Sequence, residues 1–292
     1  MRFAKYHGLG NDFLVVDLRN VDAMTATAVQ DPANVRALCD RQFGVGGDGV
    51  LAILPSSTGD DARMRVLNSD GSEAEMCGNG LRCVVQELHD RGGVTKDEMA
   101  IDTGAGRLVC AITPEGITVS MGAPRLLRGE IPMVGPIHER CIDQPIDVHG
   151  QPTRRVTCVS MGNPHAVTFV DSHDEAKHLA TTVGPSIERH AYFPQRTNAE
   201  FAFVRSRQEI DLVVWERGAG LTLACGTGAC ATVVAAILTG RCDEGIAVKV
   251  NLPGGALTIR VMPELQNVKM HGPAQLVFDG ELDLAKLARR PS

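Results

Sequence analysis

Aromatic residues are scarce: one Trp, two Tyr and eight Phe make up 4% of the 292 residues. That leaves few faces on which the bases of a single strand could stack. Basic charge is not in excess either. Lys and Arg number 29 against 35 Asp and Glu, a net charge of −6, which gives no electrostatic footprint for nucleic acid or an anionic membrane. No apolar run approaches the roughly 20 residues of a membrane span, and the opening MRFAKYHGLGND lacks the apolar core of a signal peptide. The expectations are therefore no nucleic acid, no membrane and a cytosolic location. Nine cysteines, an odd number with several inside apolar runs, fit reduced thiols better than a disulfide framework. Hydrophobic content of 43% and charged content of 22% are ordinary, and a chain of this length fills about two domains.

Two of the cysteines stand in one repeated setting. Cys77 opens CGNG and Cys225 opens CGTG, 148 residues apart (225 − 77). Each precedes a helical run, LRCVVQELHDR or ACATVVAAILTGR, and each follows a polar residue nine positions back, Asn68 or Glu216. Gly10-Asn11-Asp12-Phe13 before LVVD matches Gly162-Asn163-Pro164-His165 before AVTFVD at an offset of 152 (163 − 11). Asp48-Gly49-Val50 matches Asn198-Ala199-Glu200 at 150 (198 − 48). Three matches near one spacing describe two halves of one design, with a period too long for a solenoid.

Short apolar runs bounded by Gly, Pro, Asn or Asp predict strands at Leu14–Leu18, Gly49–Leu54, Arg63–Leu67, Arg107–Ala111, Gly116–Met121, Val156–Ser160, Ala166–Val170, Ala199–Val204, Leu212–Trp215, Ala247–Asn251, Ala256–Val261 and Gln275–Phe278. Helices are expected after both cysteines and, shorter, near Pro32–Cys39 and His173–Ala180. The run after Cys225 is apolar almost all round, which predicts a helix enclosed by sheet. The Pro-rich stretch Ala123–Pro152 reads as the crossing between domains.

Other motifs carry less. Gly44–Gly49 spells G-x-G-x-x-G, but dinucleotide binding needs a strand before that loop and a helix after it, and here the order is reversed. Cys77 with Cys83 and Cys225 with Cys230 miss the spacing of structural zinc pairs, so no metal site is expected. Cys39, Cys110, Cys141, Cys158 and Cys242 read as structural thiols.

A sulfur at a helix mouth meets unpaired N–H groups and the positive end of the helix dipole, which favour thiolate. The adjacent glycine lets a ligand approach the backbone, and the same N–H groups suit a carboxylate. Two such thiols on either side of one Cα could remove a proton from one face and return it to the other, inverting the centre. Two buried structural cysteines in Gly-rich turns is the plainer reading of the same spacing.

Along its whole length the chain resembles the diaminopimelate epimerase family. The motifs are HGLGNDFLVVD, FGVGGDG, LNSDGSEAEMCGNGLRC, MGNPH, RTNAEF, WERGAGLTLACGTGACA and HGPAQLVFDGE, in that order. The resemblance implies cofactor-independent interconversion of LL- and meso-diaminopimelate, with Cys77 and Cys225 as the acid/base pair. It places Gly78, Asn79, Gly226 and Thr227 on the reacting carboxylate. Asn11, Asn68, Asn163, Asn198, Glu216 and Arg217 match substrate contacts, mainly at the distal end, and His165 and Glu216 match residues that tune the thiols. Gly49 stands where some members carry a substrate-contacting Gln, and Trp215 stands where a Tyr is common.

The expected fold is α/β (α+β): two pseudo-symmetric domains, each a mixed sheet curled around a central helix, with the site in the cleft between them. The resemblance divides the chain into residues 1–122 plus 272–292 and residues 123–271. The partner expected is the small-molecule substrate, with a homodimer left open as the assembly. A proline- or hydroxyproline-type racemase is the alternative enzyme, although those substrates lack the second charged end that the Asn and Arg set suits. A thiol redox protein is the alternative outside catalysis.

Overall fold

In the computed structural model, which describes residues 1–287, the chain divides into two compact units. One comprises residues from Met1 to Val119 with the stretch from Gly272 onward, and the other spans Ser120–His271. The end of the C-terminal stretch expected to rejoin the first domain, residues 288–292, lies outside the described residues.

The first unit opens with the antiparallel strands Arg2–Gly8 and Asn11–Asp17. Helices α1 (Ala23–Gln30) and α2 (Pro32–Cys39) then carry the chain over to Gly49–Leu54, which runs parallel to Asn11–Asp17. Asp22 caps α1, and Asp31 caps α2 just before Pro32 in its first turn, where a missing N–H costs nothing. Ala62–Asn68 returns antiparallel, helix α3 (Gly78–Asp90) follows, and Glu98–Thr103 pairs parallel to Ala62–Asn68. Gly106–Thr113 closes the series as an antiparallel hairpin.

The second unit repeats each step. Arg154–Ser160 and Pro164–Val170 are antiparallel. Helices α4 (His173–Thr182) and α5 (Gly184–Glu188) lead to Asn198–Ser206, parallel to Pro164–Val170. Glu209–Glu216 returns antiparallel, helix α6 (Gly226–Leu238) follows, and Ala247–Leu252 runs parallel before the hairpin to Gly255–Val261. Identical order and pairing sense in both units establish the internal duplication structurally.

Sheet register corrects one of the sequence matches. Phe13 faces Gly49 and His165 faces Asn198. With Asn11 equated to Asn163, Asn198 is therefore the counterpart of Gly49, not of Asp48, at an offset of 149 (198 − 49). No side chain fits at Gly49, because a Cβ there would stand 2.6 Å from the Leu67 carbonyl oxygen. The G-x-G-x-x-G stretch lies between α2 and a strand, and its Val45 and Gly46 N–H groups both bond the Leu38 carbonyl at the end of α2. They serve the helix terminus rather than a phosphate.

Helix α6 has buried residues on every side, from Gly226 through Ala236, as its composition requires. The stretch Ala123–Pro152, expected to cross between domains, lies inside the second unit. Its Ile131, Met133, Cys141, Ile146 and Val148 are core residues, packed with Phe201 and Val213. A polar, Pro-rich segment can still be anchored by a few apolar side chains, since each fully buried one contributes about 1.5–3 kcal/mol.

Candidate active site

Both singled-out cysteines are helix N-caps. Cys77 caps α3 and Cys225 caps α6, each with extended backbone, and each helix is 13 residues long. The Gly80 N–H points at Cys77 Sγ and the Gly228 N–H at Cys225 Sγ, both at 3.4 Å. Gly78 and Gly226 are the first helical residues. Cys77 is half-buried and Cys225 is buried.

Around Cys77 the first unit builds an oriented amide pair. Asp48 Oδ2 accepts from Asn11 Nδ2 at 2.7 Å, which turns Asn11 Oδ1 toward Cys77 Sγ (3.8 Å) and Asn79 Nδ2 (3.3 Å). Arg82, fully buried, donates from Nη2 to Asn79 Oδ1 at 2.9 Å and so fixes the second amide. Asn68 ends its strand and donates instead to Ser72 Oγ at 2.9 Å, closing the following turn.

A charged cluster underlies Asn11. Asp12 bonds Lys5 Nζ at 2.5 Å and Arg41 Nη2 at 2.6 Å, Arg41 also reaches Asp48 at 2.8 Å, and Lys5 donates to the Gly46 carbonyl. Burial pushes the Asp12 carboxyl up, but Arg41 and Lys5 more than reverse this and hold it at about 2. A depressed folded-state pKa stabilises above the unfolded value of about 3.9, and the gain is lost as pH falls through about 2. Asp12→Asn should therefore cost on the order of 1 kcal/mol at pH 6, after discounting for solvent screening, and less at pH 3. Urea unfolding midpoints at the two pH values measure it, and an equal cost at both would contradict the linkage.

In the second unit the network runs deeper. Thr227 Oγ1 lies 3.6 Å from Cys225 Sγ and accepts from Asn163 Nδ2 at 3.2 Å. Asn163 Oδ1 meets His165 Nε2 at 3.0 Å, and His165 Nδ1 meets Glu200 Oε1 at 2.6 Å. Glu216 accepts from Thr222 Oγ1 at 2.5 Å. Asn198 Oδ1 accepts from the Arg217 N–H at 2.8 Å while its Nδ2 donates to the Pro164 carbonyl at 3.0 Å. The turn that carries Glu216 and Arg217 is held by Glu188, whose oxygens accept from Trp215 Nε1 at 2.9 Å and the Gly218 N–H at 3.0 Å. Burial opposes ionisation of Glu188, but those two donors, with Arg189 and Arg196, keep its pKa lowered.

The thiolate expected from helix-mouth position is not what Cys225 shows. Burial, then Glu216 and Glu200, push this thiol well above its ordinary range, against the pull of Thr227 and the Gly228 N–H. Burial also raises Glu216 and Glu200. Desolvation outweighs a single N–H and a hydroxyl here, and Cys225 rests as a thiol.

Four residues that sequence reasoning passed over hold these groups in place: Asp48, Arg82, Glu188 and Glu200. Arg82 was within reach, because it stands three positions after Asn79 on the same helix, where side chains meet. No set of three or more His, Cys, Asp or Glu among the described residues could hold a metal ion. No helix among them is long and apolar enough to cross a membrane.

The sequence profile of diaminopimelate epimerase matches residues 3–127 and 157–277. The chain belongs to the diaminopimelate epimerase family. This family member is 51% identical over 286 residues to diaminopimelate epimerase 1 of Nostoc sp., covering 97% of this chain and 99% of that one. It is 48% identical over 290 residues to the diaminopimelate epimerase of Heliobacterium modesticaldum, covering 97% and 100%. Its fold is shared with a probable proline racemase of Agrobacterium radiobacter (TM-score 0.68, 15% identity, 97% and 93% covered). A hydroxyproline epimerase of Agrobacterium vitis is similar to the same degree (TM-score 0.68, 15% identity, 97% and 90% covered). At that identity the likeness is one of fold.

Proposed function

We propose that the chain interconverts LL- and meso-diaminopimelate in the cytosol, without a cofactor, by two-thiol acid/base chemistry. The observation that carries the reading is the duplicated N-cap: two cysteines, each with a first-turn N–H on its sulfur, in units of identical wiring. One sulfur, as thiolate, removes the Cα proton, and the other, as thiol, returns a proton to the opposite face. The roles exchange on reversal. Cys225, held protonated by burial, is the donor in one of these two resting states. First-turn N–H groups at Gly78, Asn79, Gly226 and Thr227 receive the reacting carboxylate and stabilise the negative charge that develops on it. Asn11, Asn68, Asn163 and Asn198 line the substrate, with Glu216 and Arg217 toward its distal end, while His165 and Glu216 tune the sulfurs. These assignments follow the family, and the Asn79–Asn11 bond beside Cys77 and the Asn163–Thr227 bond beside Cys225 support them.

In heavy water, the purified protein should place deuterium at one Cα of diaminopimelate with no pyridoxal phosphate added. An absolute need for that cofactor, or exchange on proline as fast as on diaminopimelate, would reject the assignment, and absence of any substrate-dependent exchange would favour a redox role. Arg217→Lys keeps the charge but loses the planar fork that grips a carboxylate. It should lower kcat/KM for diaminopimelate by about 10²-fold, the worth of a bidentate charged contact of roughly 3 kcal/mol. Wild-type kinetics in this variant would remove Arg217 from the substrate.

A further inference from the structure

The Glu200–His165 pair has a proton count that its surroundings dictate. Both side chains are fully buried and 2.6 Å apart. Asn163 donates its amide N–H to Thr227 Oγ1, so the face it turns to His165 Nε2 is its carbonyl oxygen. A carbonyl only accepts, so Nε2 must carry a hydrogen. One more hydrogen is then needed between His165 Nδ1 and Glu200 Oε1, and it sits on either the nitrogen or the oxygen. Imidazolium with carboxylate and imidazole with carboxylic acid are both neutral as pairs.

The place of this pair gives the neutrality a use. A Cβ at Gly228 would stand 3.1 Å from Cys225 Sγ and 3.1 Å from Glu200 Oε1, so the carboxyl lies against the same helix turn as the sulfur. A bare carboxylate there would oppose ionisation of Cys225. The ionisable groups that face Glu200 are His165 from Pro164–Val170, Glu216 from Glu209–Glu216, Cys158 from Arg154–Ser160 and Cys225 from α6. Among these, His165 is the basic one, and its ring bonds the carboxyl directly.

We propose that Glu200 is a positioning residue for the chemistry at Cys225: it shares one proton with His165 Nδ1, which keeps the pair neutral beneath the helix mouth and holds the imidazole Nε2–H on Asn163 and, through it, Thr227. The kinetic part rests on the epimerase reading above. Glu200→Gln preserves both shape and neutrality, since the amide N–H donates to Nδ1 of a neutral ring. His165→Gln instead leaves an unbalanced carboxyl beside the sulfur.

The test combines nitrogen-15 NMR of the histidine rings with pH–rate profiles for E200Q, H165Q and the double variant. At pH 7.5, His165 Nε2 should be protonated in the wild type and in E200Q. E200Q should keep kcat/KM within about threefold of wild type, a small part of an acid/base contribution of 10²–10⁴. H165Q should lose roughly 30-fold and shift the limb of its profile that reports thiol ionisation upward by about one pH unit. E200Q/H165Q should recover about tenfold and return the limb, because removing the carboxyl removes the imbalance. An unprotonated Nε2, or a double variant no better than H165Q, would overturn the proposal. If the wild type fails to epimerise diaminopimelate the functional reading falls, and the NMR measurement alone then decides the proton on His165.

Discussion

Cys77→Ala and Cys225→Ala should each lower stereoinversion of LL-diaminopimelate by about 10³-fold or more, the scale of a lost general acid or base. Stability should hardly change. Each substitution removes one N-cap acceptor with a 3.4 Å contact to a first-turn N–H, a loss of about 1 kcal/mol at most. Cys83→Ala and Cys230→Ala invert this pattern. Both sulfurs are fully buried within α3 and α6, so truncation leaves a small cavity and costs about 1–2 kcal/mol, while turnover of the folded protein persists. The experiment pairs an optical-rotation or coupled assay with urea denaturation of all four variants. Strong residual activity in either N-cap variant would remove that cysteine from the proton transfer.

The second large effect is expected at Arg82, where stability and turnover should fall together. Its guanidinium is fully buried and donates to Asn79 Oδ1 (2.9 Å), Pro273 O (3.1 Å) and Gly78 O (3.4 Å). Arg82→Met keeps most of the packing but deprives these acceptors, at about 1–3 kcal/mol for each left buried and unsatisfied. Relief from burying a cation offsets part of that, so a net loss of about 3 kcal/mol is expected. Asn79 then loses the bond that aims its amide at Asn11, and kcat should drop about tenfold under conditions where the variant is fully folded. Arg82→Lys should fall between, since a compact ammonium lacks the planar fork of the guanidinium. Denaturant midpoints with kcat and KM at saturating substrate separate the two effects. A variant as stable and as active as wild type would show that the contacts are incidental.

What the sequence disclosed follows from how evenly each element states its burial. Gly49–Leu54 and α2 were legible to the residue, because apolar runs end there at Gly, Pro and Asp. Arg2–Gly8 was not, although it is a central partner of two strands. Its Lys5 is buried against Asp12, and a charge that finds its counter-ion across a sheet looks, in one dimension, like an exposed residue. Glu98–Thr103 and Val268–Gly272 were missed for the related reason that charged and apolar residues alternate on strands with one open face. Helix α1, AMTATAVQ, buries only Val29 and leans on its Asp22 cap, so it has little apolar stripe to read.

The site divides the same way. Cysteine, glycine and asparagine in repeated order announced the helix mouths, since few other uses put those residue types at that spacing. Glu200 was hidden because it sits in a strand buried on both faces, where the alternation that marks an inward side chain is lost. The raised state of Cys225 was also beyond the sequence. It depends first on burial and then on Glu216 and Glu200 arriving from separate strands, which only the fold brings to one sulfur.

The register that equates Gly49 with Asn198 has a consequence for discrimination. Two copies of one scaffold would by default present the same groups at matched sheet positions, whereas a substrate with one reacting end and one distal end needs some of those positions to differ. At this one sheet position the copies have diverged: the first admits no side chain, because the Leu67 carbonyl oxygen stands 2.6 Å from any Cβ, while the second presents an amide that braces the Arg217 backbone. Broken equivalence of this kind gives a duplicated protein a head and a tail. The brace at the Arg217 turn of the second unit has no counterpart at Gly49 in the first.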